Sequence, residues 1–143
     1  MIPYYIIMAI IAYLIGSVNF SILISKKKAG FDIREKGSGN AGTTNMLRSV
    51  GKGAALITLI LDILKGVVTV LIAIFYSFIL YKAFDVNLNS ALLVQIAGIF
   101  VILGHTFPIY FGFKGGKGVA TTLGILLVTN WHVGLICLVF AMN

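Results

Sequence analysis

Three long apolar runs constrain this chain more than any other feature of its sequence. They cover residues 2–25, 54–81 and 91–111, and none of them holds more than two charged side chains. A helix of about 20 apolar residues is long enough to cross the hydrocarbon core of a bilayer, which is roughly 30 Å thick. We therefore predict an all-α fold, a polytopic bundle of transmembrane helices forming a single domain over residues 1–143.

The composition excludes the other broad classes of protein. Of the 143 residues, 59% are hydrophobic and 10% are charged, whereas a soluble domain carries about 25% charged residues. Disordered chains are poor in aliphatic and aromatic residues, so disorder is excluded as well. A single cysteine, Cys137, leaves no disulfide framework and no cysteine-based metal site.

The positive charge is concentrated in two segments that separate the apolar runs. The chain has 11 Lys and Arg against 4 Asp and Glu. Seven cations and two acids lie in the loop 26–53, a local net charge of +5: Lys26, Lys27, Lys28, Arg34, Lys36, Arg48 and Lys52, with Asp32 and Glu35. The short loop 112–117 adds Lys114 and Lys117. Basic loops stay on the cytoplasmic side, so we expect both loops inside and the N-terminus outside, with phosphorylated molecules or anionic lipids rather than nucleic acid as partners.

The end of the chain allows two interpretations. From Val119 the sequence is apolar again, interrupted by Asn130, Trp131 and His132. Trp is enriched at membrane interfaces and Asn in turns, so we predict a short span over 118–130, an external turn, and an incomplete fifth span over 133–143. The alternative is one continuous span.

A glycine-rich segment lies inside the first basic loop. Gly37, Gly39 and Gly42 match the pattern G-x-G-x-x-G, but a dinucleotide site requires a preceding strand and a βαβ unit. The P-loop pattern fails too, because Thr43 stands where a lysine is required. Neither nucleotide-binding interpretation fits.

The same segment still has the chemistry of an anion site. Glycines let backbone N–H groups approach an anion closely. Thr43 or Thr44 can cap a short helix that ends near Gly51, and Arg48 on that helix can grip two phosphate oxygens. The alternative is a tight turn followed by a basic helix that rests on lipid headgroups.

A second glycine-rich segment covers residues 104–124. Gly115 and Gly116 permit almost any backbone path, and Lys117 follows at the start of the next helix, where it can lie over a bound phosphate. Lys114 is expected to extend toward the interface as an ordinary snorkelling lysine. His105 has no acidic partner near it in sequence, so we expect a packing role.

Two ionisable residues stand inside the second apolar run. Asp62 and Lys65 are three positions apart, hence on one helix face, and about 13 Å deep at 1.5 Å per residue from Gly53. Mutual neutralisation within the bundle accounts for them, so we predict a structural pair. The sequence offers no cluster of metal ligands and no His and Asp partners for a nucleophilic serine.

Four segments together make the chain resemble a known family. GSGNAGTTNMLRSVGKG and GHTFPIYFGFKGGKGVATTLG, with LDILKG and GSVNFS, resemble the bacterial acylphosphate-dependent glycerol-3-phosphate acyltransferases, the PlsY family. The resemblance implies a seven-span fold of which this chain is a fragment, in the bacterial inner membrane with its site facing the cytoplasm. It also implies transfer of a fatty acyl group from acyl phosphate to the 1-hydroxyl of glycerol 3-phosphate, which gives lysophosphatidic acid and phosphate and begins phospholipid synthesis.

The resemblance also implies which residues act. Ser38, Arg48 and Lys117 take the catalytic positions, with Thr44 as a further phosphate ligand. The remaining candidates surround them and are Gly37, Gly39, Asn40, Gly115 and Gly116 as phosphate-binding residues, and His105, Asn45 and Lys114 as further site residues. The family's third motif, a C-terminal basic segment with a His and an Asn, has no counterpart in these residues.

The implied partners are acyl phosphate, glycerol 3-phosphate and membrane lipids, without a metal or other cofactor. Two alternatives from other classes stay open. An organic-phosphate transporter is favoured only by Asp62 and Lys65 inside the membrane. A lipid-binding membrane subunit would use the basic loops to contact anionic headgroups.

Overall fold

Helices form all the regular secondary structure of the computed structural model, which describes the backbone of residues 1–142 and the side chains of residues 1–139; no strand occurs among these residues. The α-helices are α1 (Ile2–Ser17), α2 (Phe20–Ala29), α3 (Thr43–Ser49), α4 (Lys52–Phe84), α5 (Ser90–Thr106), α6 (Val119–Thr129) and α7 (Trp131–Met142). Short 3-10 turns follow α2 and α5, at Ile33–Glu35 and Ile109–Phe111. The predicted all-α fold is confirmed.

Three helical segments are long and apolar enough to cross a membrane. They are Ile2–Ala29, which combines α1 and α2, then Lys52–Phe84, and Ser90–Phe111. α1 packs along α5, and α4 packs along both α5 and α6. These contacts make one bundle, in which α4 is the helix that touches most of the others.

The distribution of side chains on α4 is the reverse of that in a soluble protein. Leu56, Ile60, Leu64 and Phe75 are exposed, while polar side chains of the same helix point inward. The buried polar residues of α4 are Thr58, Asp62, Lys65, Thr69 and Ser77. Lipid solvates the apolar exterior, and polar groups must find partners inside the bundle.

Glycines allow the helices to approach closely at two crossings. At each crossing a Cβ atom on the glycine would overlap a backbone carbonyl of the facing helix. The α1–α5 pairs are Gly16 with Val101 and Gly104 with Tyr13, and the α4–α6 pairs are Gly66 with Thr121 and Gly124 with Ile63. Small residues at such crossings are typical of packed transmembrane helices.

The first apolar run is two helices rather than one. α1 ends at Ser17, Val18 is extended, and the side chain of Asn19 accepts a hydrogen bond from the N–H of Ile22 at 3.2 Å. Asn19 is therefore the N-cap of α2, and this cap stabilises the break. Gly16, three positions earlier, contacts α5 instead.

The loop between α2 and α4 contains the short helix α3. Its N-cap is Gly42, which provides no side-chain hydrogen bond, so the predicted cap by Thr43 or Thr44 is wrong. Both threonines lie in the first turn of α3 instead. Val50 is the C-cap of α3, and Gly51 is the N-cap of α4, with a φ of 115° that favours glycine.

A second break separates α6 from α7 at Asn130. The side chain of Asn130 accepts a hydrogen bond from the N–H of Val133 at 3.3 Å, in the manner of an N-cap. α6 has 11 residues and is about 16 Å long, shorter than a full crossing. The position of this turn outside the membrane stays a prediction.

Candidate functional site

The first glycine-rich loop, residues 30–42, is organised by one buried amide. Asn45 is 1% exposed, and its Oδ1 accepts hydrogen bonds from the Ser38 N–H at 3.1 Å and the Ser49 hydroxyl at 3.3 Å. Its Nδ2 donates to three carbonyls at 2.9–3.1 Å, those of Ile33, Lys36 and Asn40. Asn45 was predicted as a site residue, and in the structure its side chain fixes the backbone of this loop through hydrogen bonds.

Two glycines in this loop take a backbone conformation that other residues rarely adopt. Gly37 has a φ of 57° and Gly39 a φ of 71°. A Cβ on Gly37 would also overlap Oδ1 of Asn45. The tight path of the loop around Asn45, which leaves the side chain of Ser38 exposed, therefore depends on these glycines.

Arg34 ties this loop to the second glycine-rich loop, residues 107–118. Its Nε and Nη2 donate to the two carboxylate oxygens of Asp32 at 3.0 and 2.8 Å. Its Nη1 donates to the carbonyls of Phe111 at 2.6 Å and Lys114 at 3.0 Å. Hydrogen bonds from the Arg34 guanidinium hold the pKa of Asp32 well below its usual value, so both members of the pair are charged.

The two loops also meet at Gly116. A Cβ on Gly116 would overlap both the carbonyl oxygen of Ala41 and Nε2 of His105. The side chain of Asn19 donates to the same Ala41 carbonyl at 3.5 Å. The break in the first span, the first loop and the second loop therefore converge on Ala41 and Gly116.

The backbone N–H groups of the glycine pair serve the fold. Gly115 donates to the carbonyl of Thr106 at 3.0 Å and Gly116 donates to that of His105 at 3.1 Å. These bonds turn the chain back onto the end of α5. In this structure the two amides position Lys117 rather than offer donors to a ligand.

A buried polar cluster lies directly behind this junction. The Lys65 ammonium is 2.9 Å from Oδ1 of Asp62 and 2.9 Å from Nδ1 of His105. It donates as well to the carbonyls of Gly16 at 3.3 Å and Val18 at 3.0 Å. His105 lacks a nearby acidic residue in sequence but lies 3.6 Å from Asp62 in space. The predicted structural pair is therefore a three-residue cluster.

The remaining candidates are exposed on the segments that flank the junction in sequence. Thr44 and Arg48 project from α3, Ser38 from the first loop, and Lys114 and Lys117 from the second. Among the side chains that the structure describes, these five make no hydrogen bond or ion pair. The described residues contain no group of three His, Cys, Asp or Glu side chains that could hold a metal ion. The exposed groups suit an anionic ligand instead.

Sequence reasoning missed Arg34 and Asn19. Arg34 was counted only as one cation of a basic loop, because its carbonyl partners lie 77 and 80 positions away. Asn19 carried a usable signal, since an Asn inside an otherwise apolar run is a preferred N-cap residue.

Comparison with known proteins gives a family over nearly the whole chain. The model of the family described as "Glycerol-3-phosphate acyltransferase" matches residues 6–143. A glycerol-3-phosphate acyltransferase of Clostridioides difficile is 46% identical over 134 residues, covering 94% of this chain and 63% of the relative. That of Gluconobacter oxydans is 44% identical, covering 94% of this chain and 60% of the relative.

Solved structures agree with this result. A crystal structure of PlsY (YgiH), an integral membrane glycerol 3-phosphate acyltransferase in its glycerol 3-phosphate form, matches with a TM-score of 0.75 and 39% identity. Its lysophosphatidic acid form matches with a TM-score of 0.70 and 36% identity. Both matches cover 92% of this chain and 60% of the solved chain, so this chain spans about three fifths of the proteins it matches. The likeness to an integral membrane structure confirms the predicted transmembrane bundle.

Proposed function

The chain belongs to the glycerol-3-phosphate acyltransferase family, and we propose that it carries the phosphate-binding part of a site that transfers a fatty acyl group from acyl phosphate to glycerol 3-phosphate. One observation carries the proposal: two glycine-rich loops, far apart in sequence, contact each other at Ala41 and Gly116. Exposed, unpaired cationic and hydroxyl side chains lie on the segments that flank this contact in sequence. Both substrates carry a phosphate group, so a site for them needs this chemistry.

The proposed reaction requires no protein nucleophile. The 1-hydroxyl oxygen of glycerol 3-phosphate forms an ester bond with the acyl carbonyl carbon, and the bond between that carbon and the phosphate oxygen breaks. The hydroxyl proton leaves with a phosphate oxygen, and the products are lysophosphatidic acid and inorganic phosphate. Because phosphate is a good leaving group, positioning and charge stabilisation supply the catalysis. The solved relatives contain glycerol 3-phosphate in one form and lysophosphatidic acid in the other, which supports this assignment.

Roles follow from position. Ser38 lies in the first loop, and Thr44 and Arg48 lie on α3, which follows it; we assign these three residues to the acyl phosphate. Lys117, on the second loop, neutralises the charge on the leaving phosphate or orients glycerol 3-phosphate. Their exposure and lack of partners within the described side chains support these roles, because a side chain already paired in the fold has less to offer a ligand.

We further propose that the site faces the cytoplasm and that the membrane is the bacterial inner membrane. Support comes from the charge distribution. The loop 26–53 has a net charge of +5, whereas the connection between Phe84 and Ser90 has one charged residue, Asp85. Cytoplasmic loops carry the excess of Lys and Arg.

The break in the first span raises a second candidate, a transporter of organic phosphates. Transporters bind substrates at unwound helices near the middle of the membrane. α1 has 16 residues, so the break lies about 24 Å from the outer end of the helix, close to the basic loops rather than at the midplane. This position favours the acyltransferase.

One experiment separates these functions. The complete protein is reconstituted in vesicles and given acyl phosphate and radiolabelled glycerol 3-phosphate, and lysophosphatidic acid, inorganic phosphate and trapped label are measured. Product with equimolar phosphate release is expected. Label that crosses the membrane without product would replace the proposal with a transporter, and neither product nor flux would leave a lipid-binding subunit.

A further inference from the structure

The buried ammonium of Lys65 uses all its hydrogen-bonding capacity. An ammonium has three N–H donors and no acceptor. Three acceptors surround Nζ: the carbonyls of Gly16 at 3.3 Å and Val18 at 3.0 Å, and Nδ1 of His105 at 2.9 Å. Lys65 therefore fixes two things at once, the break at the end of α1 and one nitrogen of the His105 ring.

Asp62 balances the charge of Lys65 at contact distance. Its Oδ1 lies 2.9 Å from Nζ, as an ion pair, and is a fourth acceptor beside the three others around the ammonium. The side chain of Asp62 is 2% exposed, so the carboxylate stabilises the charge of the ammonium inside the bundle.

These contacts determine the proton position on His105. Because an ammonium can only donate, Nδ1 of His105 must be the acceptor, and a neutral ring then carries its proton on Nε2. Nε2 is the ring atom that lies against Gly116 and beside the Ala41 carbonyl. The protonated edge of the ring therefore faces the junction of the two glycine-rich loops.

A purely neutralising role for the pair would not produce this arrangement. Two opposite charges three positions apart on one helix satisfy each other without a third residue. Here Lys65 also reaches a histidine 40 positions away and two carbonyls 47 and 49 positions away. The cluster links the break in the first span to the segment that presents Lys117.

We propose that Asp62, Lys65 and His105 form a positioning cluster, in which Lys65 locks His105 as its Nε2–H tautomer and the ring holds Gly116 and Lys117 against the first loop. His105 is then a positioning residue. It is not the base that takes the hydroxyl proton of the acceptor, because Nε2, the ring nitrogen on the side of the loops, already carries a proton. The catalytic consequence rests on the proposed acyl transfer, whereas the tautomer does not.

The tautomer is measured directly by nitrogen NMR of the complete protein in lipid nanodiscs with 15N-labelled histidine. The signal of His105 is the one that disappears in His105→Gln and persists in His132→Gln, which removes an exposed histidine far along the chain from the cluster. A neutral ring with the proton on Nε2 is expected, and Lys65→Met should abolish this preference. A proton on Nδ1 in the unmodified protein overturns the proposal, whether or not acyl transfer is observed.

Activity then separates positioning from proton transfer. His105→Gln retains an amide donor near the place of Nε2 but cannot act as a base at neutral pH, whereas His105→Ala retains nothing. A misplaced catalytic group costs up to about 100-fold in rate, so we expect about that loss in kcat for His105→Ala and rescue by His105→Gln to within tenfold of the unmodified protein. Equal losses in the two variants, with the Nε2–H tautomer intact, would contradict positioning and assign His105 to proton transfer.

Discussion

Single hydrogen-bonded side chains fix the shape of the candidate site, while exposed, unpaired side chains are available to a ligand. Asn45 and Arg34 show the difference. Asn45 is buried and hydrogen-bonds the backbone of the first loop. Arg34 instead links the first loop to the second by donating to two of its carbonyls. Neither side chain is free for a phosphate, so their contribution to function is the shape of the loops.

Replacing Asn45 with alanine should destabilise the protein. Three backbone carbonyls and one N–H would lose a buried partner, and an unsatisfied buried group costs about 1–3 kcal/mol. We expect a loss of about 3 kcal/mol in the free energy of unfolding, seen as a lower melting temperature in detergent. Asn87→Ala is the matched control, because Asn87 is exposed; an equal effect of the two substitutions would refute the role of Asn45.

The residue types of the site were accessible from the sequence, but their partners were not. Gly37, Gly39 and Lys117 stand out because glycine and lysine have few other reasons to cluster beside a membrane span. The contact of His105 with Lys65 involves residues 40 positions apart on different helices. Only the packing of α4 against α5 brings them together, and no local pattern encodes it.

At the scale of helices, close crossings set where the loops can meet. Gly66 and Gly124 let α4 and α6 approach until each glycine touches a backbone carbonyl of the other helix. This crossing fixes the start of α6, and Lys117 lies two residues before that helix. Hydropathy predicts that these helices exist, but it does not predict which helices cross or where.

A pair of glycine substitutions on α4 tests the crossing. Gly66→Ala places a methyl group against the Thr121 carbonyl, which must shift, while Gly53→Ala meets nothing within 4 Å. Overpacking typically costs about 1–3 kcal/mol, whereas alanine is preferred to glycine in a helix by up to about 1 kcal/mol. We expect melting in detergent at a lower temperature for Gly66→Ala and at an unchanged or higher one for Gly53→Ala. Similar melting temperatures would mean that α4 and α6 do not cross this closely.

The break in the first apolar run is the feature that the sequence interpretation missed. The run 2–25 holds no charged residue, and its length is that of one continuous span. The break at Val18 depends on the cap by Asn19 and on the Lys65 ammonium that takes up the exposed carbonyls of Gly16 and Val18. The cap by Asn19 can be predicted from the local sequence. The contact with Lys65 cannot, because it involves a helix about 50 residues further along the chain.

For the whole molecule, the proposal requires both glycine-rich loops on the cytoplasmic side. Cysteine labelling tests this orientation in a cysteine-free background, in which Cys137 is among the residues replaced by serine. We expect Lys27→Cys to react with a membrane-impermeant maleimide only after the cells are opened, and Asn87→Cys to react in intact spheroplasts, because both positions are exposed on opposite connections. The reverse pattern would place the loops outside and remove the cytoplasmic site.

The central claim is that the first and second loops form one site for acyl transfer, and it is tested most directly by the rate of lysophosphatidic acid formation in variants of each loop. Removing one group that stabilises developing charge costs about 10²–10³-fold in kcat. We predict a loss of this size for both Arg48→Ala and Lys117→Ala in the complete, folded protein, and none for Lys27→Ala, an exposed lysine at the end of α2. Near-normal turnover in either the Arg48 or the Lys117 variant would contradict the claim that the two loops form one site.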